Sequence, residues 1–321
     1  MRAAVCERYG PPEIVQIREV PTPAPADREV LVRAFATTVN SGDARLRALR
    51  VPRGMSLPVR LNVGITKPRR PVFGFEMAGR VEAVGEAVTS FQPGDRVVVS
   101  RGFDLGCHAE LVTVDEPGAI AKIPEDVSYQ DAVSLCFGGA TALNFFRLGK
   151  LASGETVLVN GASGAVGTMA VQLAKQTGAE VTAVCSGANA DLVRGLGAGH
   201  VIDYTAEDFT RDGRRYDVIM DNHGNAPYAR VKSSLEPGGR FLMVIGDLWQ
   251  MLAATRQKAV VSGTTSINGD DYRTLMSLAE RRELKPVIDS VLPFAQIVEA
   301  HRRVDSGHKV GSVVLTFGQD G

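Results

Sequence analysis

The segment Thr156–Ser186, TVLVNGASGAVGTMAVQLAKQTGAEVTAVCS, constrains the fold of this chain more than any other. Thr156–Val159 is a short apolar run of strand type, followed at once by Gly161, Gly164 and Gly167. Val166, Ala170, Leu173 and Ala174 then recur at i, i+4, i+7 and i+8, which puts them on one helix face. Gly178 stands where a helix ends in a left-handed glycine, and Val181–Cys185 is again strand-like. Strand, glycine turn, helix and strand within about 30 residues make a βαβ unit. The glycines have distinct uses there. Without a Cβ, Gly164 lets a pyrophosphate reach the backbone, and Gly167 lets the helix pack closely on the strand. Free N–H groups at the helix start then meet the phosphate charge. The first position of the G-x-G-x-x-G pattern is Ala162, so the rival reading is a phosphate-free turn in an ordinary α/β domain.

A chain of 321 residues has room for two domains. With 44% hydrophobic and 22% charged residues it has the make-up of a soluble globular protein. Lys+Arg and Asp+Glu are equal at 36 each, so no basic excess points to nucleic acid or to an anionic membrane. MRAAVCERYG has no apolar run of signal-peptide length, and no stretch approaches 18 apolar residues. A cytoplasmic protein with a small-molecule substrate is expected. Cys6, Cys107, Cys136 and Cys185 are scattered and form no C-x-x-C pair, which argues against a zinc ribbon or a disulfide framework.

Residues 1–120 read as β-rich. Arg2–Val5, Ile14–Val20, Val30–Ala36, Ala78–Val84, Arg96–Val99 and Glu110–Val114 are short runs separated by proline and glycine turns. Arg45–Arg70, rich in Arg and Pro, reads as a long surface loop with solvated basic residues. Ser128–Leu135 and Thr141–Leu148 read as two helices. Past the βαβ unit come a helix at Asp191–Leu196 and strands at Val201–Tyr204 and Tyr216–Met220. A helix at Ala226–Leu235, stopped by Pro237-Gly238-Gly239, leads to strands at Phe241–Ile245 and Val260–Gly263. Alternating strands and helices predict an α/β fold with a doubly wound parallel sheet, its ligand at the carboxyl ends of the strands. Beyond Ser266, helices at Asp271–Arg281 and Ala295–Arg303 precede a closing strand at Ser312–Phe317.

The wording NGASGAVG…AVQLAK…GAEVTAVCS…LVRGLGA…VIDY resembles the nucleotide-binding half of the zinc-independent medium-chain dehydrogenases and reductases, the quinone oxidoreductase and enoyl reductase branch. Gly74–Val88, GFEMAGRVEAVGEAV, resembles that superfamily's GHE-x-x-G-x5-G-x-x-V signature. Where the zinc alcohol dehydrogenases have a histidine ligand, this chain has Phe75, and the segment holding their first cysteine ligand reads VNSGD, the V-N-x-x-D pattern of the zinc-free branch. Glu76 alone does not make a catalytic zinc site, which needs about three protein ligands. The resemblance implies a GroES-like catalytic domain at residues 1–122, a Rossmann domain at 123–265, and a return of residues 266–321 to the first domain. It also implies a homodimer joined through the nucleotide domain, where an exposed sheet edge needs covering.

The pyrophosphate loop is expected in Ser163, Gly164, Ala165, Val166 and Gly167, mostly through backbone. By resemblance Asn40, Thr141 and Asn268 lie toward the nicotinamide; a helix cap is the other reading of Thr141, and a turn residue that of Asn40. Asn222 and Gly246, after the fourth and fifth strands, complete the cofactor set. The second strand ends at Ser186 with no Asp or Glu to hold ribose hydroxyls, so nothing there repels a 2′-phosphate. Ser186, Asn189 and Tyr204 match positions that contact that phosphate in the resembled quinone reductases, which implies NADPH. Asn189 stands where some of them have Lys, so positive charge is missing unless Arg194 reaches in.

Without a Lewis acid, alcohol oxidation is not expected. Hydride transfer to a quinone or an α,β-unsaturated carbonyl remains open. Some zinc-free relatives carry a tyrosine about eight residues past the Asp of V-N-x-x-D; Val51 is there instead. Asp43, Arg47, Cys107 and His108 are the remaining polar candidates for proton donor, with water as the alternative. A dedicated biosynthetic enoyl or enone reductase, and a non-catalytic NADPH-binding protein, are competing readings.

Overall fold

The computed structural model describes residues 1–263 and 267–318. The chain divides into two compact units: Met1–Val51, Ser56–Phe137 and Ile267–Gly321 in one, Pro52–Met55 and Gly138–Ser266 in the other. The domain boundary expected at 265/266 lies outside the described residues.

The second unit carries a six-stranded parallel sheet. Its strands are Thr156–Asn160, Glu180–Cys185, His200–Asp203, Tyr216–Asp221, Leu235–Met243 and Val260–Ser262. Counted in chain order within this sheet, they lie in the order 3-2-1-4-5-6. Val157, Leu158 and Val159 are fully buried, as the middle strand of a sheet covered on both faces requires. The strand order reverses between the first and fourth strands, so the crevice for a ligand opens at the carboxyl ends of Asn160 and Asp221. The α/β doubly wound fold is as the sequence predicts.

Two helical expectations in and beside this unit are corrected. Ser128–Leu135 and Thr141–Leu148 are parts of one helix, Tyr129–Gly149. Gly138 does not break it. A Cβ there would stand 2.1 Å from the Ala165 carbonyl oxygen, so glycine is required by close packing against the start of the next helix. The helix expected over Ala226–Leu235 is only Tyr228–Val231 with a 3₁₀ turn at Lys232–Ser234. Pro237-Gly238-Gly239 lies inside the fifth strand. Leu235 pairs with Tyr216 and Arg240 with Val218, so the surplus residues form a bulge.

In the first unit the largest sheet runs Ile288–Pro293, Ser312–Thr316, Glu29–Val39, Glu76–Val84, Arg96–Ser100, Ala119–Lys122, with Leu111–Asp115 also paired to Glu29–Val39. Its pairs are antiparallel except Ile288–Pro293 with Ser312–Thr316. Ala119–Lys122 and Ile288–Pro293 were not anticipated as strands. Met77, Val97, Val99, Val313 and Leu315 lie at zero exposure in its core.

The loop expected over Arg45–Arg70 is also corrected. It contains the end of one helix, Ser41–Ala48, and a second, Ser56–Val63. Arg47 is fully buried rather than solvated. Its guanidinium donates to Asp305 at 2.5 Å and to the Gly10 carbonyl at 2.7 Å. All four cysteines are buried free thiols. Burial pushes the Cys6 thiol up to about 12 and raises those of Cys107, Cys136 and Cys185. Among the described residues no helix is long and apolar enough to cross a membrane.

Candidate nucleotide site

The glycine turn follows the first strand of the parallel sheet. Gly161 has φ +77°, a left-handed value that glycine tolerates, and thus makes the tight turn one residue before Ala162. The N–H groups of Gly161 and Ala162 both donate to the Val184 carbonyl, at 3.1 and 3.0 Å, tying the turn to the second strand. The helix Ala165–Thr177 begins at Gly164 with no side-chain cap. Its first-turn N–H groups, those of Ala165, Val166 and Gly167, are therefore donors for an anion. At the far end Gly178 caps it in the left-handed region at φ +86°.

The two later glycines differ in kind. A Cβ on Gly167 would stand 2.1 Å from the Gly161 carbonyl oxygen and 2.6 Å from the Ala162 Cα. Internal packing alone demands glycine there. A Cβ on Gly164 would meet only that same oxygen, at an ordinary 3.5 Å, and φ at Gly164 is −76°. Nothing within the fold requires Gly164 to lack a side chain, so the space a Cβ would fill is a cradle for something outside it. Ser163 is half-buried in the same turn.

Across the reversal point the sequence missed a polar brace. Asn160, ending the first strand, donates its amide to the Asp221 carboxylate at 2.9 Å and to the Asn225 side chain at 2.8 Å. Asp221 in turn accepts from the N–H groups of His223, Gly224 and Ala226. The N-x-G after the first strand and D-N-H-G-N after the fourth were its visible signals. On this brace sits Asn222, both polar atoms of its side chain buried and without a partner. A buried amide left unpaired costs about 1–3 kcal/mol, which a bound ligand recovers. Its Cβ lies 3.8 Å from where a Cβ on Gly161 would be, so the amide stands beside the glycine turn. Gly246 is buried in the turn after the fifth strand, just ahead of the Asp247-capped helix Leu248–Ala254. His223 is an exposed loop residue.

Thr141 is buried, well inside the helix Tyr129–Gly149. The helix-cap reading therefore falls. Thr141 is three residues on from Gly138, the point where this helix meets Ala165, and so shares its face.

At the end of the second strand, Asn189 donates its amide to Ser186 Oγ at 3.2 Å, and Tyr204 is exposed at the end of the third. The tip of the second strand itself carries no acid, as the sequence reads. An acid stands beside it, however, on the neighbouring strand. Asp203 pairs with Cys185 in register, and a Cβ on Gly187 would be 2.4 Å from its Oδ2. Hydrogen bonds from Thr205 and the Gly187 backbone N–H hold its carboxyl below the usual range. Arg194 does not make good the missing lysine, since its guanidinium pairs with Asp191 at 2.8 Å.

In the first unit, Asn40 caps the helix Ser41–Ala48. Its Oδ1 accepts from the N–H groups of Gly42 and Asp43, and Asp43 returns a bond to the Asn40 N–H. The Asn40 Nδ2 is buried with no partner. Asp43 is fully buried, with Oδ2 on Asn40 N–H and Oδ1 on Gly74 N–H, and burial raises its pKa. Both its oxygens are used by the backbone, so it braces the start of the helix. His108 Nε2 is bonded to the Thr38 carbonyl at 2.9 Å and lies 3.9 Å from Asp43. Arg47 and Cys107 are buried, so all four polar donor candidates are enclosed. Asn268 caps the helix Gly269–Glu280, its Oδ1 accepting from Asp271 N–H. Phe75 packs among Phe103 and Phe137. Among the described residues no group of three His, Cys, Asp or Glu is placed to hold a metal ion.

A doubly wound dinucleotide-type sheet with an uncapped helix at its glycine turn, joined in one chain to a mostly antiparallel β unit, defines a two-domain nicotinamide-type oxidoreductase architecture. Residues 26–125 match the alcohol dehydrogenase GroES-like domain, and residues 196–315 match the zinc-binding dehydrogenase family. The chain is 31% identical to the chloroplastic quinone-oxidoreductase QR1 of Triphysaria versicolor, over 98% of each. It is 29% identical to a trans-enoyl reductase of Penicillium oxalicum, over 98% of this chain and 97% of that one. Among solved structures, the quinone oxidoreductase of Coxiella burnetii superposes with a TM-score of 0.88 over 99% of each chain, at 26% identity. The chain belongs to the medium-chain dehydrogenase/reductase superfamily, in the company of its quinone oxidoreductases and enoyl reductases.

Proposed function

We propose that this protein is an NADPH-dependent reductase of quinones or α,β-unsaturated carbonyl compounds that works without zinc. The observation that carries the reading is the open Cβ space at Gly164 ahead of an uncapped helix start, with the unpartnered Asn222 amide beside the same turn. When bound, the reduced nicotinamide supplies the hydride. Ala165, Val166 and Gly167 hold the pyrophosphate by backbone N–H groups, with Gly164 leaving it room and Ser163 aiding. Ser186, Asn189 and Tyr204 take the adenosine ribose and its phosphate. Thr141, Asn222 and Gly246 in the same unit are the remaining cofactor contacts. Positioning is the main contribution of such a site to rate. With Asp43, Arg47, Cys107 and His108 all enclosed, water delivers the proton.

Phe75, in place of a metal ligand, supports zinc independence, and the superfamily resemblance supports a homodimer joined through the nucleotide unit. Elemental analysis finding about one zinc per chain, or light scattering finding only monomer, removes the corresponding part. The chemistry is tested with 4-deuterated NADPH and a panel of quinones and enones. Deuterium at the β-carbon of a reduced enone, or quinone-dependent NADPH oxidation, is expected. NADPH binding with no acceptor reduced would leave a nucleotide-binding protein without turnover.

A further inference from the structure

The end of the second strand decides how a Rossmann-type site treats the 2′ position of the adenosine ribose, because that tip lies about 20 residues after the phosphate loop and reaches the same sugar. In this chain the tip itself, Ser186-Gly187-Ala188-Asn189, is uncharged. Its electrostatics are set from the next strand.

Asp203 ends the third strand directly beside Cys185. Its Oδ1 is held by the Thr205 N–H at 3.0 Å and the Thr205 hydroxyl at 2.8 Å. Its Oδ2 is turned to Gly187, so closely that any side chain on Gly187 would collide with it. The Tyr204 N–H is bonded to the Cys185 carbonyl at 3.1 Å, which locks the two strand ends together. The carboxylate is thus fixed in place at the tip rather than free to swing away. Arg194 is the cation of the helix after the tip, and it is engaged by Asp191. Among the described residues no ion pair is formed by Asp203 itself.

We propose that Asp203 is the residue that sets cofactor selectivity, its fixed negative charge restraining the preference for a 2′-phosphate while leaving a 2′-hydroxyl unopposed. The proposal rests on the nucleotide-binding reading above. A phosphate monoester carries close to two negative charges at neutral pH, so a carboxylate within several ångströms opposes it selectively. The opposition weakens as salt is added.

The test is equilibrium binding of NADPH, NADH, adenosine 2′,5′-bisphosphate and 5′-AMP to the wild-type protein and to Asp203→Asn, Asp203→Ser and Thr205→Val. Removal of the charge is expected to tighten NADPH and the bisphosphate by roughly tenfold and to leave NADH and 5′-AMP within about twofold. The gain should shrink between low and high salt. Thr205→Val, which removes a hydroxyl bond but no charge, should leave the ratio unchanged. A merely structural role would weaken all four ligands alike. That result, an unmoved ratio in both Asp203 variants, or an equal shift in Thr205→Val, overturns the proposal while nucleotide binding stands. Wild-type protein that binds none of the four overturns the nucleotide reading and this inference with it.

Discussion

The buried carboxylate of Asp221 accepts the side-chain amide of Asn160 at 2.9 Å. These residues end the fourth and first strands, the parallel neighbours between which the strand order reverses. The crevice at a switch point is often described by its backbone alone. Here a side-chain pair spans it, and the same carboxylate gathers three backbone N–H groups of the following loop.

Asp221→Asn should therefore loosen that loop. One acceptor oxygen becomes an amide facing N–H donors, at a cost of about 1–3 kcal/mol. Urea unfolding should reveal that loss, and titration calorimetry should find NADPH bound about tenfold more weakly. Unchanged values in both would show that the brace does not shape the site.

Gly164 and Gly167 should separate binding from folding. The Cβ of Gly164→Val meets no clash within the fold, so its stability should stay within about 1 kcal/mol of wild type. It fills the phosphate approach, so NADPH binding should be lost. Gly167→Val drives a side chain into the Gly161 carbonyl and should cost 3 kcal/mol or more, or prevent folding. A stable Gly167→Val or a nucleotide-binding Gly164→Val contradicts this division.

Glu76 makes stability depend on pH. Burial pushes its carboxyl up to about 8 from 4.5, although Thr38 Oγ1 donates to it at 2.7 Å. The unfolded chain thus loses this proton at lower pH than the folded one. The contribution is fully present below about pH 4.5 and is lost as pH rises toward 8. Glu76→Gln should flatten the slope over that window, by up to about 1.4 kcal/mol per pH unit, and should raise stability most at pH 8. A Gln variant with the wild-type slope would place the proton elsewhere.

Asp43→Asn and His108→Gln test the proton source. Both side chains are enclosed and bonded to backbone, so their loss should appear in stability. Turnover of a quinone or enone should fall less than tenfold. A fall of about 10²–10⁴ with stability intact is the mark of a general acid and would replace water as the donor.

The βαβ unit was legible because its determinants are local: an apolar strand, a glycine turn and a 3.6-residue periodicity lie within one short segment. The helix Tyr129–Gly149 was not, because Gly138-Gly139 has the look of a break. Only the contact with Ala165, distant in sequence, explains a glycine inside a helix. Arg45–Arg70 was misread for the opposite reason. Arg and Pro dominate its composition and mask the capping pair Asn40 and Asp43, a local signal of a helix start. Two of the proton-donor candidates have a local role of the same kind, Asp43 and His108 being bonded to backbone groups. Asp203 was invisible as a neighbour of Ser186 because strand register, not sequence distance, brings the two strand ends together.

The four enclosed thiols equip the molecule with silent labels. Thiolate is the form that alkylating reagents attack, and burial that raises each thiol keeps it scarce while the native fold persists. Cys6, Cys107 and Cys136 belong to the β-rich unit and Cys185 to the nucleotide unit. Peptide-resolved alkylation over time thus clocks the transient openings of each unit separately, without introducing a probe. Nucleotide that steadies the glycine turn, tied as it is to Val184, should slow the clock at Cys185 before it slows the other three.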